Sequence, residues 1–290
     1  MSLCAFLTMD NLEEFEVYDE LLIEPLSKLG WTVEMVPWRD RDTDWDRYKA
    51  VIIRSPWDYQ QDADLFMKVL KDIDRSSARL ENPLKLVKWN IDKTYLKELQ
   101  EKGVLIVPTI WGEKITEQEL TEAFNTFNAR ELVIKPTVSA NADNTFRLKK
   151  DSYLKATEEV KQIFSERPYL IQPFMNAIVN EGEFSLFYFG GEYSHTILKT
   201  PAMGDFRVQE EHGGILTSVE PETKLLQRAQ QTMKNLKPQP LYARADYVRT
   251  GDDDFALMEL ELIEPSLYFN MDPESPERFA RIFDRWMKEK

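Results

Sequence analysis

Over residues 1–80, short apolar runs alternate with amphipathic stretches. CAFLT (4–8), WTVEMV (31–36) and AVIIR (50–54) read as strands; 12–29, stopped by Gly30, and 62–74 read as helices. This β-α-β-α order predicts a small, open, mostly parallel sheet. Ligands of such sheets sit at the carboxyl ends of the strands. RSPWDY (54–59) falls at one of those ends, as either a substrate contact or a structural turn.

Asn82-Pro83 interrupts the pattern. Beyond it, 87–90 reads as a short strand and 91–102 as a helix opened by Ile91-Asp92-Lys93. Residues 105–107 are extended, and a helix from about 116 ends before 131. A strand at 132–134 delivers Lys135 and Pro136 at its end, and 146–148 resumes extended structure. The intervening TVSANADNT (137–145) is either an ordinary polar hairpin tip or a phosphate cradle. Ser139 and Thr145 bring hydroxyls, and Asn141 and Asn144 tolerate left-handed backbone. Next come a helix around 152–165, a strand at 169–174, and a hairpin of 183–189 with 193–199 about Gly190-Gly191. That hairpin sets Lys199 near Glu183. The loop 200–214 is too long for a plain connector; its Arg207, His212 and double glycine suggest a ligand-gripping segment.

After a helix at 220–236, YARADYVRTGDDDFALMELELIEPS (242–266) reads as a hairpin whose strands, 242–249 and 255–263, flank TGDDD. Closing it about its middle sets Asp246 opposite Glu259 and Arg244 opposite Glu261, on one face. Strict alternation assigns Ala243, Ala245, Tyr247, Met258, Leu260 and Leu262 to the other, packed face. Three carboxylates held this close repel unless a cation sits among them. The charged face is therefore either a cradle for Mg²⁺ or a solvated acidic surface. Residues 273–290 form a closing amphipathic helix.

At 290 residues the chain can bury a substantial core in two or three subdomains. Its 51 acidic against 37 basic residues, net −14, disfavour nucleic acid and anionic membrane surfaces as partners. No apolar run approaches the roughly 20 residues that span a bilayer, and nothing at the start reads as a signal peptide, so a soluble cytoplasmic protein is expected. Cys4 has no partner for a disulfide within the chain, and two histidines, His195 and His212, argue against a multi-histidine zinc site. No glycine fingerprint follows the first strand, no Walker pattern occurs, and no nucleophile–base pair is visible. What remains is Lys93, Lys135 and Lys199 at element ends, a loop of small residues, arginines and clustered carboxylates, the kit that phosphoryl transfer needs.

The order of these motifs resembles the ATP-grasp ligases over nearly the whole chain. It runs from Asn90 with Asp92-Lys93 through IKP (134–136), IQPF (171–174) and EGEFS (181–185) to Lys199-x₇-Arg207 with HGG (212–214). R-x-D (244–246) and E-x-E (259–261) close it and are the most specific pair. Within the family the chain is similar to the glutathione synthetase-like branch, and in the phrases IIRSPWDY, HTILK and ELELIEPS to ligases of cycloserine biosynthesis. The resemblance implies an α/β (α+β) ATP-grasp fold behind a Rossmann-like pre-ATP-grasp domain. Its boundaries would be 1–88, 89–170 and 171–290, the last carrying the metal site. It implies Lys93 and Lys135 on the ATP phosphates, a loop from Ser139 to Thr145 closing over them, and Gln172 and Phe174 along the adenine by backbone contacts. Glu183 or Glu181 would hold the ribose, Lys199 would reach the nucleotide, and Asp246, Glu259 and Glu261 would hold two Mg²⁺, with Mn²⁺ as a substitute. Arg244 and Arg207 would act catalytically on the acyl phosphate or the substrate carboxylate.

The implied reaction is carboxylate–amine ligation through an acyl phosphate, releasing ADP and phosphate, on a small amino-acid-like or peptide-like substrate. Such ligases are often homodimers. Arg54, Arg207 and His212 suggest an anionic or zwitterionic ligand. One departure from the family is the absence of glycine between Gly112 and Gly182, where its phosphate loop is usually glycine-rich. That departure sets a non-catalytic, regulatory ATP–Mg²⁺-binding module against the ligase.

Overall fold

The computed structural model describes residues 1–13, 15–139 and 144–289. Strands β1 (Ser2–Thr8), β2 (Trp31–Pro37), β3 (Ala50–Ser55) and β4 (Arg79–Glu81) form a parallel sheet in the order β2-β1-β3-β4. AVIIRS of β3 is buried at every position, as a strand covered on both faces requires. One cover is the helix Ala63–Arg75, which turns Phe66, Leu70 and Ile73 inward and is capped by the Asp62 carboxylate accepting from the Leu65 N–H. The closing helix Ser275–Glu289 returns to this part of the molecule. Its Phe279 and Phe283 share a core with Cys4, Phe6 and Trp31, and Trp31 and Phe283 lie ring to ring at 4.8 Å.

The second sheet comprises β5 (Ile110–Gly112), β6 (Glu131–Pro136), β7 (Phe146–Lys149) and β8 (Tyr169–Pro173), antiparallel in the order β5-β8-β6-β7. β8, in which the expected boundary at 170/171 falls, belongs to this sheet. The third sheet comprises β9 (Glu183–Phe189), β10 (Glu192–Thr200), β11 (Ile215–Ser218), β12 (Tyr242–Arg249) and β13 (Phe255–Glu261), antiparallel in the order β11-β10-β9-β12-β13.

Three local expectations are corrected. The helix expected over 12–29 is confined to a 3₁₀ turn, Asp19–Leu22, and a short α-helix, Ile23–Lys28. Pro25 has no N–H to give and is tolerated only in a first turn, so the helix cannot start much earlier. Residues Leu84–Asn90 are helical rather than extended, because Pro83 occupies the N-cap, and an apolar run that short does not separate helix from strand. The helix expected over 91–102 is Tyr95–Glu101.

Candidate active site

A cavity of about 240 Å³ opens where the three sheets meet. Trp57 and Tyr59 come from the end of the first sheet, Lys135 and Gln172 from the second, and Glu183, Lys199, Arg244, Glu259 and Glu261 from the third. The hairpin register is the one expected, Asp246 opposite Glu259 and Arg244 opposite Glu261. Between these pairs and Tyr247, opposite Leu257, the register shifts by a bulge. The bulge overturns strict alternation at two positions: Leu257 packs in the core with Leu260 and Leu262, and Met258 lines the cavity.

Two side chains that the motif reading left without a mechanical role hold the edge strand β13. The Asn90 amide donates to the Leu260 carbonyl at 2.8 Å and accepts from the Leu262 N–H at 2.9 Å. The Tyr95 hydroxyl accepts from the Leu260 N–H at 2.8 Å. Buried side chains thus replace a missing neighbour strand and fix the plane from which Glu259 and Glu261 project.

The charged groups interlock across the sheet. Lys199, paired in register with Glu183, contacts that carboxylate and lies 3.6 Å from Asp246. Asp246 also accepts from Ser185 Oγ and from Arg244 Nε at 3.2 Å, and Arg244 reaches on to Glu261. Lys93 Nζ lies 3.2 Å from Glu259 and donates to the Ser139 carbonyl at 2.6 Å. Among the described cavity residues Lys135 is the cation with no ion pair.

These contacts set the proton affinities. Burial pushes the Glu261 carboxyl up to about 8, because Arg244 on one side does not outweigh the neighbouring Asp246, Glu259 and Glu264. Burial also raises Glu183 against the pull of Lys199. For Asp246 burial acts upward, yet Arg244 and Lys199 prevail and hold it below the usual carboxylate range; Lys93 and Lys135 do the same for Glu259. Burial lowers Lys135 below the usual lysine value.

Of the expected site residues, Lys93, Lys135, Ser139, Gln172, Phe174, Glu183, Lys199, Arg207, Arg244, Glu259 and Glu261 all line the cavity. Several expectations need correction. Asp246 lies beneath the cavity wall, and among the described residues no three Asp, Glu, His or Cys side chains converge as metal ligands. Each carboxylate has turned to a basic side chain, the cheapest way to relieve their repulsion. The Phe174 N–H is committed to the Glu131 carbonyl at 2.9 Å, which leaves its carbonyl for the expected backbone contact, and the Arg147 guanidinium lies 3.6 Å from the centre of its ring. Glu181 is taken by Arg249 at 2.8 Å, leaving Glu183 as the carboxylate facing the cavity. Arg54 is fully buried, paired with Asp19 at 2.8 Å and donating to the Pro265 carbonyl, so it meets no ligand; Trp57 and Tyr59 of the same segment do face the cavity. Of the phosphate-loop segment, 140–143 lies outside the described residues.

Residues 4–82 match the family described as D-cycloserine synthetase DcsG, N-terminal domain. Over 284 residues the chain is 28% identical to the cycloserine biosynthesis protein DcsG of Streptomyces lavendulae, covering 92% of this chain and 93% of that protein. The crystal structure of D-cycloserine synthetase DcsG superposes with a TM-score of 0.87 at 26% identity, over 99% of this chain and 100% of that one. The chain has the ATP-grasp fold and is an ATP-dependent ligase. The ligase shares its fold with D-alanine–D-alanine ligase from Bacillus anthracis as well, at a TM-score of 0.69 and 13% identity over 100% and 99% of the two chains. An ATP-dependent ligase, rather than a non-catalytic nucleotide module, is what these similarities support. No helix among the described residues is long and apolar enough to cross a membrane.

Proposed function

We propose that the ligase joins a carboxylate to an amine, activating the carboxylate as an acyl phosphate with ATP and releasing ADP and phosphate. The single observation that carries this reading is the half-buried Lys135, without an ion pair among the described residues and set in one cavity with the lysine–carboxylate pairs of Lys93 and Lys199. An unpaired cation in a partly desolvated cavity is stabilised by an anionic ligand, and phosphoryl transfer depends on such cations along the phosphates.

Lys93, Lys135 and Ser139 would meet the phosphates, and Gln172, Glu183 and Lys199 the remainder of the nucleotide, with the Phe174 ring as an apolar wall. The donor set fits Mg²⁺: Glu259 and Glu261 face the cavity with hard oxygen ligands, and the raised Glu261 marks a place short of positive charge. These two carboxylates would hold the two ions that the resemblance implies, and Mg²⁺ there supplies charge neutralisation at the transferred phosphoryl group. Asp246, gripping Arg244 and Lys199 together, orients two cations toward the same face. Arg244 would offset the charge that gathers in phosphoryl transfer and in the tetrahedral step that follows. Arg207, on the loop 200–214 and tied to Asp205 at 2.7 Å, would meet the substrate carboxylate from above.

The similarity to D-cycloserine synthetase supports a small amino-acid-derived substrate. The test is ADP release from ATP–Mg²⁺ across a panel of amino acids and their amides, with phosphate and new amide product quantified. ADP and phosphate in equal amounts with an amide are expected; AMP and pyrophosphate, or a phosphorylated product without an amide, would overturn the reading.

A further inference from the structure

The carboxylates on the cavity wall differ in one respect. Glu183, Glu259 and Glu261 each have a lysine or arginine partner, and Glu211 is exposed on the loop. Glu264 is half-buried and, among the described residues, has no ion pair. Its surroundings come from the segments that follow β1 and β3 of the first sheet. The Trp57 indole N–H donates to the Glu264 carbonyl at 2.8 Å, Phe15 lies against Trp57 at 5.4 Å between ring centres, and Tyr59 lines the same wall. Burial pushes the Glu264 carboxyl up to about 7, with the Tyr59 hydroxyl beside it pulling the other way. Among the described residues the cavity therefore holds one cation without an ion pair, Lys135, and one partly buried carboxyl without one, Glu264. An unpaired carboxyl walled by aromatic rings suits a compact organic cation, which gains both the charge and the ring faces.

We propose that Glu264, with Trp57 and Tyr59, binds the ammonium group of an amino-acid substrate, making it the residue that selects acids bearing a free amine. This inference rests on the ligase reading above. It gives the first sheet a function: the substrate's amine is read by the segment 57–59 and by the residue following β13, while the nucleotide is read by the second and third sheets.

The experiment is a thermal-shift and ADP-release series on wild type, Glu264→Gln and Glu264→Asp, in ADP–Mg²⁺ for binding and ATP–Mg²⁺ for turnover. The probes are a panel of D- and L-amino acids, each beside its N-acetyl derivative. The expected result is an amino acid that stabilises wild type and whose N-acetyl derivative does not. Glu264→Gln should weaken its binding about 10- to 100-fold, the range for loss of a charged hydrogen bond, and Glu264→Asp should restore part of it. The shift given by ADP–Mg²⁺ alone, which reports that the variants are folded, should stay as in wild type. Equal binding of the N-acetyl compound, unchanged amino-acid binding by Glu264→Gln, or no stabilisation by any amino acid would overturn the assignment. If wild type releases ADP with a probe that Glu264→Gln binds unchanged, the ammonium site fails and the ligase reading stands. If no probe yields ADP from wild type, the ligase reading is what fails.

Discussion

Lys135 and Lys199 face the same cavity, yet their removal should affect the protein in opposite ways. Lys199 is 4% exposed in its side chain and lies between Glu183, at 12%, and Asp246, at 4%. Lys199→Met would leave two buried carboxylates sharing what Arg244 can offer. Breaking a buried pair by removing one partner typically costs about 3–5 kcal/mol. At roughly 2 °C per kcal/mol for a chain of this size, Tm should fall by roughly 6–10 °C. Lys135 has no ion pair among the described residues, and burial already disfavours its charge, so Lys135→Met removes a penalty together with a favourable field from Glu259. Its Tm without nucleotide should stay within about 2 °C of wild type or rise. With ATP–Mg²⁺ the order reverses in meaning: the nucleotide-induced shift of Lys135→Met should largely vanish, because the anion's unpaired counter-charge is gone. Differential scanning fluorimetry without nucleotide and over an ATP titration measures both quantities. Equal destabilisation of the two variants, or a full ATP shift in Lys135→Met, would refute the assignment of Lys199 as a buried ion-pair partner and of Lys135 as the cation left for the phosphates.

Other outcomes follow from the same geometry. Asp246→Asn should lower kcat about 10²- to 10³-fold, since it loosens both Arg244 and Lys199; ADP release at saturating ATP measures it, and full activity would contradict the arrangement. His195 stacks on Phe187 at 4.3 Å, donates from Nε2 to the Leu267 carbonyl and accepts at Nδ1 from the Ser194 hydroxyl, and burial lowers it to about 4 from the usual 6.5. The unfolded chain therefore binds the extra proton between those values, so His195 favours folding above pH 6.5 and that contribution is lost as pH falls toward 4, by about 3 kcal/mol. Urea unfolding of His195→Gln should show a correspondingly flatter decline over that window; an unchanged slope would count against a neutral buried imidazole. Gly214→Ala should disturb the loop 200–214, because a Cβ there would sit 2.0 Å from the Val208 carbonyl oxygen, a backbone atom. A severalfold higher KM for the carboxylate substrate with little change in Tm is the expected signature, read from initial rates.

The sequence by itself determined the elements that carry strong periodicity and the order of the chemistry. Alternation in 242–249 and 255–263 was enough to place Asp246 opposite Glu259 and Arg244 opposite Glu261, since strand geometry leaves a closed hairpin few registers. The glycine pair in HGG was visible as a loop signal, and the structure gives its reason: Gly213 takes a left-handed φ of +78° and Gly214 abuts Val208. Bulges leave little trace in the sequence, so the exchange of Leu257 and Met258 became visible only once the strands were paired.

What a charged residue is for was decided by tertiary structure. Arg54 and Arg207 are equal as letters, yet one is buried against Asp19 and the other faces the cavity. Glu264 had no assignable role along the chain, because its role depends on Trp57 and Tyr59, some two hundred residues earlier. Asn90 belonged to a motif, but its task of holding the β13 edge depends on a strand 170 residues away. Local periodicity encodes which face a side chain takes within its own element. Which opposite charge it meets, and whether one is left unmatched for a ligand, depends on contacts between distant elements, and only the folded chain brings those together.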